Sequence, residues 1–393
     1  MTIYRRSSPA LAILVVLLLL PSWVLAQPFT ATLRIHVMNV GQGDATLIIG
    51  PPPQRKTLLI DVGEEVTGRR THFKDVAAAL RRHTGKGPGD TVVLDYLVLS
   101  HYHMDHMGTQ TARGGNGLWG LLAEEKIRIG TIIDRGDDVQ FGPTTGPHDK
   151  YRAAIDEWKR KGWIQRRETA VLGTQQIQLG AAITIEVVAV NGNGVLESVN
   201  QARPGFFDEC PPSENDYSVA LKITLGAFEY FTGGDLAGEN TDRFFGSTCT
   251  SYNDVETSLA PTIGNIEVMK LNHHGSSHSS NSFFMRTLAP EFIIVTSGSK
   301  NTYQHPSRIV MDRITRGGHV FLTGGVSAQE WPDGVLLPGM EIVDGDVDIF
   351  VEAGGARYEI QGVVHRAFTD AEEANRADRA YFRKEILGKN RNN

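Results

Sequence analysis

A run of apolar residues, Tyr96-Leu97-Val98-Leu99, ends in Ser100-His101-Tyr102-His103-Met104-Asp105-His106. No other feature constrains the chain as much. The apolar run reads as a buried strand. Three histidines and one aspartate directly after it are hard to explain by packing. Imidazole and carboxylate are the usual ligands of zinc and similar divalent cations. Alternation lets His101 and His103 point one way. Asp105 and His106 then turn toward a second position as the chain bends.

The segments around this junction alternate between strand and helix. Thr32 to Val40 carries Leu33, Ile35 and Val37 on one side, a period of two. Ala45–Ile49 and Thr57–Ile60 read as further strands, with turns at Gly41-Gln42-Gly43-Asp44 and Pro51-Pro52-Pro53. His72–Arg82 and Tyr151–Lys161 have helical spacing, and Thr131–Ile133 is strand-like. More strands fall between Gln176 and Val190, and Ser218–Leu225 with Phe228–Phe231 forms a hairpin. Ile266–Leu271, Phe292–Val295 and Val320–Leu322 are later strands, with a helix at Ser307–Arg316 and a charged one at Asp370–Leu387. Asn191 to Asp216 has no periodicity, and a loop of that length commonly carries function. The expectation is one large α/β (α+β) domain over residues 31–337, with a C-terminal hairpin and helix over 338–393. Strands outnumber helices and the early ones follow each other directly, which favours two mixed sheets over a doubly wound parallel sheet.

The first 26 residues read as a cleaved signal peptide: Arg5 and Arg6, an apolar run from Ala10 to Leu20, then Val24-Leu25-Ala26. A membrane span needs about 20 apolar residues, so no stable membrane insertion is expected after cleavage. The expected location is secreted or periplasmic. Losing that segment makes the chain more acidic than its full-length net charge of −6, which is not the general footprint of a nucleic-acid binder. Cys210 and Cys249 either pair in an oxidising compartment or remain two thiols. Oligomeric state leaves no trace in the sequence.

Several other residues have chemical meaning by themselves. Asp235 ends a hairpin strand in a Gly-rich turn, so its carboxylate can reach outward. His273 and His274 close an apolar strand before Gly275, and one of them is an expected ligand. Asp61 suits the role of orienting a ligand histidine, since ligating imidazoles usually donate to a carboxylate. Asp44 is either a turn former or a pocket-facing acid. His305, before Pro306, is a candidate substrate contact. His36, His72, His83, His148 and His319 are expected bystanders.

The pattern His-x-His-x-Asp-His after a hydrophobic strand resembles the metallo-β-lactamase superfamily, and more narrowly the hydrolase domain of ComEC-type DNA-uptake proteins, to which phosphorylcholine esterases are related. Asn39-Val40-Gly41-Gln42-Gly43-Asp44, Leu59-Ile60-Asp61-Val62-Gly63, Asn215-Asp216-Tyr217-Ser218, Phe231-Thr232-Gly233-Gly234-Asp235, Leu271-Asn272-His273-His274-Gly275-Ser276 and Asn301-x-Tyr303-x-His305-Pro306 follow in the family's order. The resemblance implies an αββα sandwich of two mixed sheets flanked by helices, holding two divalent metal ions, zinc or manganese. His101, His103 and Asp235 would hold one. Asp105, His106, His274 and the shared Asp235 would hold the other, with His274 chosen because it directly precedes Gly275. Asp105, His273 and His305 are the expected catalytic residues, and Asp44, Asn215, Asn301 and Tyr303 the expected lining of the substrate side.

One departure stands out. Many superfamily members carry a further histidine ligand near the position of Glu214 and Asn215, where this chain has none. The first site is then expected to be weaker or richer in oxygen, with Asn215 or Asp216 nearby, which would suit manganese. The implied activity is hydrolysis by a hydroxide between two metals. The first-choice substrate is a phosphodiester, with DNA first. A phosphorylcholine-type esterase acting on envelope polymers, or a binding protein that kept the fold without catalysis, are the alternatives. A β-lactamase fits poorly.

Overall fold

A computed structural model describes residues 30–63, 72–111, 114–137, 146–192, 213–238 and 254–373. The expected signal peptide, Cys210, Cys249 and most of the 191–216 loop lie outside these residues.

Period-two patterning sets the architecture. In β1 (Ala31–Val37), Leu33, Ile35 and Val37 are fully buried and enter the central core. β2 (Thr46–Ile49) and β3 (Thr57–Ile60) are buried on both faces. Ile48 and Leu58 join that central core, while Leu47, Ile49 and Leu59 face a second core beneath helices. β4 (Val92–Val98) and, after the small ribbon of β5 (Gln110–Thr111) and β6 (Gly114–Gly115), β7 (Ile127–Asp134) and β8 (Ile164–Thr169) extend the sheet in parallel.

The second sheet is built from β9 (Ile183–Ala189), β10 (Ala220–Leu225), β11 (Phe228–Thr232), β12 (Val268–Lys270), β13 (Phe292–Gly298), β14 (His319–Gly324) and β15 (Met340–Ile342). β9–β10–β11 pair antiparallel and β11 to β15 pair parallel, so both sheets are mixed. One apolar core lies between the sheets. A second is covered by α1 (Phe73–Thr84), α3 (Gly117–Ala123) and α4 (Gly146–Arg160), with the short α2 (Met104–Met107) between. A third is covered by α5 (Val255–Ile263), α6 (Ser282–Leu288) and α7 (Arg308–Ile314). The result is an αββα sandwich.

The segment after Leu337 is not an appendage. β15 pairs with β14 in one sheet. β16 (Val347–Glu352) pairs with β1 in the other, and β17 (Arg357–Ile360) and β18 (Val363–Arg366) continue that sheet outward. Val347, Ile349 and Val351 belong to the central core. The expected boundary at 337/338 therefore does not divide the packing. Of the expected terminal helix, α8 (Asp370–Glu373) is described. Among the described residues no helix is long and apolar enough to cross a membrane.

Candidate metal centre

The site gathers at the carboxyl ends of β3, β4, β11 and β12. Asp61, in a left-handed conformation (φ 58°), follows β3. Its carboxylate accepts from the Ser100 amide and hydroxyl, each at 2.7 Å, and from Nδ1 of His106 at 2.8 Å. Val62 N donates to His106 O, and Asp44 N to Asp105 O. The histidine loop is thus pinned by backbone and side chain at once.

Gly234 and Asp235 follow β11. Gly234 has φ 56°, and a Cβ there would lie 2.8 Å from the Ser100 side chain, so only glycine brings this turn against the histidine loop. Gly234 O accepts from His273 N, which ties the Asp235 turn to the segment after β12. His273 and His274 both adopt left-handed backbone (φ 49° and 50°). Such a conformation costs a non-glycine residue about 1–3 kcal/mol and persists where the surroundings impose it. Here Asn272 donates to buried Glu256 at 2.8 Å, and Ser307 N to Gly275 O at 2.8 Å, holding the segment on both sides.

His106 and His274 are set alike. His274 Nδ1 donates to Thr296 O at 2.7 Å, as His106 Nδ1 does to Asp61. A neutral imidazole protonated at Nδ1 presents its Nε2 lone pair. His106 Nε2 lies 3.2 Å and His274 Nε2 3.6 Å from the same Asp235 oxygen, and His274 Nε2 is 3.6 Å from Asp105. His106 Nε2, His274 Nε2 and Asp235 Oδ1 are buried with no hydrogen-bond partner. Each such atom costs about 1–3 kcal/mol if nothing satisfies it. Donors bound at about 2.0–2.2 Å to one tetrahedral cation lie roughly 3.3–3.6 Å apart. The observed spacing is that of a metal site, and the residues fit one.

The other Asp235 oxygen faces His101 Nε2 at 3.9 Å and His273 Nε2 at 3.8 Å. His101 Nε2 and His103 Nδ1 are 3.0 Å apart. Burial, with His106 and His103 as neighbours, holds the His101 pKa well below its ordinary value, and burial takes His273 to about 4. Both imidazoles are therefore neutral lone-pair donors near neutral pH. Burial works against the Asp235 charge, yet His106, His273 and His274 hold its pKa well below the usual carboxylate range.

No protein-family model matches the chain. Over 296 residues, 72% of its length, it is 23% identical to "ComE operon protein 3" of Bacillus subtilis. Over 298 residues, 76% of its length, it is 21% identical to "Recombination protein 2" of Haemophilus influenzae. A stretch of 107 residues is 29% identical to "Competence protein ComA" of Neisseria gonorrhoeae, covering 27% of this chain and 14% of that one. These similarities are consistent with the ComEC-type branch of the metallo-β-lactamase superfamily. The chain spans 30% and 28% of the first two relatives' own lengths. Solved structures superpose only loosely. Zinc-bound PqqB of Methylobacterium extorquens gives a TM-score of 0.39 at 11% identity, over 72% of this chain and 97% of that one. Unliganded yeast PDE1 gives 0.34 at 9%, over 75% and 88%.

The six expected ligands His101, His103, Asp105, His106, Asp235 and His274 all lie at this site. Three other expectations change. Asp44 does not line the substrate side. It sits behind the rings, 3.6 Å from Nδ1 of both His106 and His274, and is paired with buried Lys270 and hydrogen-bonded by Thr296. Although Asp44 lies close enough to His106, Asp235 and His274 to be grouped with them, it faces the nitrogens turned away from Asp235. Asn301 is also not a lining residue. Its side chain donates to Gly298 O and His305 O and accepts from His305 N, so it shapes the loop that carries His305. His273, expected beside the substrate, instead points at Asp235. Asn215 lies with it, 3.4 Å from its Nε2. His305 is buried, its ring 5.4 Å from His273 and 6.2 Å from His274, and Tyr303, 52% exposed, stacks over it at 6.0 Å.

Four supporting residues escaped the sequence reading. Glu214 takes Arg135 at 2.6 and 2.8 Å and the Tyr102 amide at 2.9 Å, which anchors the loop before β10 to the histidine motif. His148, expected as a bystander, stacks on Tyr102 at 3.9 Å. Lys270 does carry a readable signal, a cation inside the apolar run Val268-Met269-Lys270-Leu271 that needs a buried partner.

Proposed function

We propose that this chain is an exported metal-dependent phosphodiesterase acting on DNA or a similar phosphodiester polymer. The observation that carries the metal dependence is the trio of buried, unpartnered donor atoms on His106, His274 and Asp235. The phosphodiester part of the reading draws on relatives named for competence and recombination.

In this reading Asp105, His106, Asp235 and His274 hold one cation, and His101, His103 and Asp235 share in a second. When bound, such cations polarise a phosphoryl oxygen and bring the pKa of water to about 7. The chain's own residues prepare the rest. Asp61 and the Thr296 carbonyl accept from the far nitrogens of His106 and His274, which turns their Nε2 atoms toward Asp235. Asp44 and Lys270 compensate each other behind those rings. Burial, with His273 beside it, brings the His305 pKa down to about 3. His305 therefore meets a bound substrate as a neutral hydrogen-bonding group. Tyr303 stands at the open edge, where a flanking part of a long substrate would lie.

The test is a substrate panel on the exported protein, with zinc and with manganese. It comprises single- and double-stranded DNA, bis-p-nitrophenyl phosphate, p-nitrophenyl phosphorylcholine and nitrocefin. Hydrolysis of the phosphodiesters is expected. Two bound metals with no turnover of any phosphodiester would instead mark a binding protein.

A further inference from the structure

We propose that His273 is a metal ligand, supplying the third imidazole that the loop before β10 lacks. This rests on the metal reading of the site and not on the choice of substrate.

That loop has no nitrogen ligand to offer. Both Glu214 oxygens are committed, to Arg135 and to the Tyr102 amide. Asp216 closes a capping box with Ser213 at 2.7 Å. Asn215 Nδ2 lies 3.4 Å from His273 Nε2, a long contact that would give way to a cation on that lone pair. The vacant role falls to His273 from the opposite side of the site. Its Nε2 and that of His101 lie 3.8 and 3.9 Å from the same Asp235 oxygen, and His103 Nδ1 is 3.0 Å from His101 Nε2. These three separations, 3.0, 3.8 and 3.9 Å, lie around the tetrahedral spacing of about 3.3–3.6 Å.

The backbone explains how adjacent residues serve two positions. Consecutive residues of a strand point to opposite faces. Two consecutive left-handed residues instead fan the rings across a single carboxylate. His273 takes one Asp235 oxygen and His274 the other.

A selectivity follows. The first position has three imidazoles and one carboxylate oxygen, the second two imidazoles and two carboxylates. Nitrogen donors favour zinc and cobalt over manganese. The first position is therefore the zinc-preferring one, contrary to the oxygen-rich site that the missing histidine suggested.

The experiment titrates cobalt(II) into the metal-stripped full chain and reads stoichiometry and visible absorption. His273→Gly is the variant of choice, because glycine accepts φ 49° without strain. Wild type should bind two cobalt ions, the first with the more intense nitrogen-rich spectrum. His273→Gly should lose that phase, with first-site affinity down at least about tenfold, as for loss of even an outer-shell partner, while one ion still binds. Should both phases vanish, added imidazole decides the matter. Recovery of the first phase supports the assignment, and no recovery overturns it. Two ions bound with wild-type affinity and spectrum in His273→Gly would also overturn it. None of these readouts needs a substrate, so a failed activity panel leaves them interpretable.

Discussion

Asp61 accepts from Nδ1 of His106 at 2.8 Å while also holding the amide and hydroxyl of Ser100. One carboxylate therefore fixes both the tautomer of a ligand ring and the start of the histidine loop. Asp61→Asn should weaken metal binding by about 10–100-fold, the usual penalty for losing such a partner. An amide in its place can present a donor where the ring also donates. Competition with a chromophoric chelator measures the affinity, and an unchanged value would remove Asp61 from the account.

Lys270 and Asp44 form a buried pair behind His106 and His274. Lys270→Met should destabilise the fold by about 3–5 kcal/mol, because it strands a buried carboxylate. Asp44→Asn combined with Lys270→Met should cost less than Lys270→Met alone. Urea midpoints of the two variants decide it, and equal losses would mean that the pair is not coupled.

Both residues bear on what a reader of the sequence can see. The His101–His106 motif was legible because ligands at a strand end have no packing role to hide behind. Leu33, Ile35 and Val37 were legible because a two-residue period faces one core. Asp44 was not, since its partner lies 226 residues away and only the closed sandwich brings them together. The start of β4 was hidden by Asp95, a charge inside the strand that is satisfied by the Thr57 amide and hydroxyl. The segment after Leu337 looked detachable because its alternation is short, yet β16 pairs with the first strand of the fold. The role of His273 depends on two positive φ angles that residue identity does not announce.

Glu256 introduces a pH dependence. Burial raises its pKa to about 7 from 4.5, although Asn272 and the amides of Ser280 and Asn281 donate to it. A raised folded-state pKa contributes stability that is full below about pH 4.5 and lost as pH rises through about 7. Its shift corresponds to about 3 kcal/mol. Wild type should therefore lose stability relative to Glu256→Gln between pH 5 and 8. Thermal or urea unfolding of both proteins across that range measures the difference. A constant gap between the two would show that Glu256 does not titrate there.

Tyr303 and His305 should separate from the ligands. His305→Ala and Tyr303→Ala should keep two metals per chain and act on KM or kcat for long substrates, more than for small ones. Metal analysis alongside steady-state kinetics on DNA and on bis-p-nitrophenyl phosphate makes the comparison. Loss of a metal in His305→Ala would move that residue into the ligand set.

The central claim is that one Asp235 carboxylate serves two cations, with an oxygen toward His101 and His273 and the other toward His106 and His274. The most direct measurement is the metal content of purified Asp235→Asn beside wild type, with turnover of bis-p-nitrophenyl phosphate recorded on the same samples. The substitution keeps the shape and removes a negative charge from between two dications, which then repel with less compensation. The account predicts two metals per chain in wild type, fewer than two in the variant, and hydrolysis lost with them. Two metals and undiminished turnover in Asp235→Asn would contradict it.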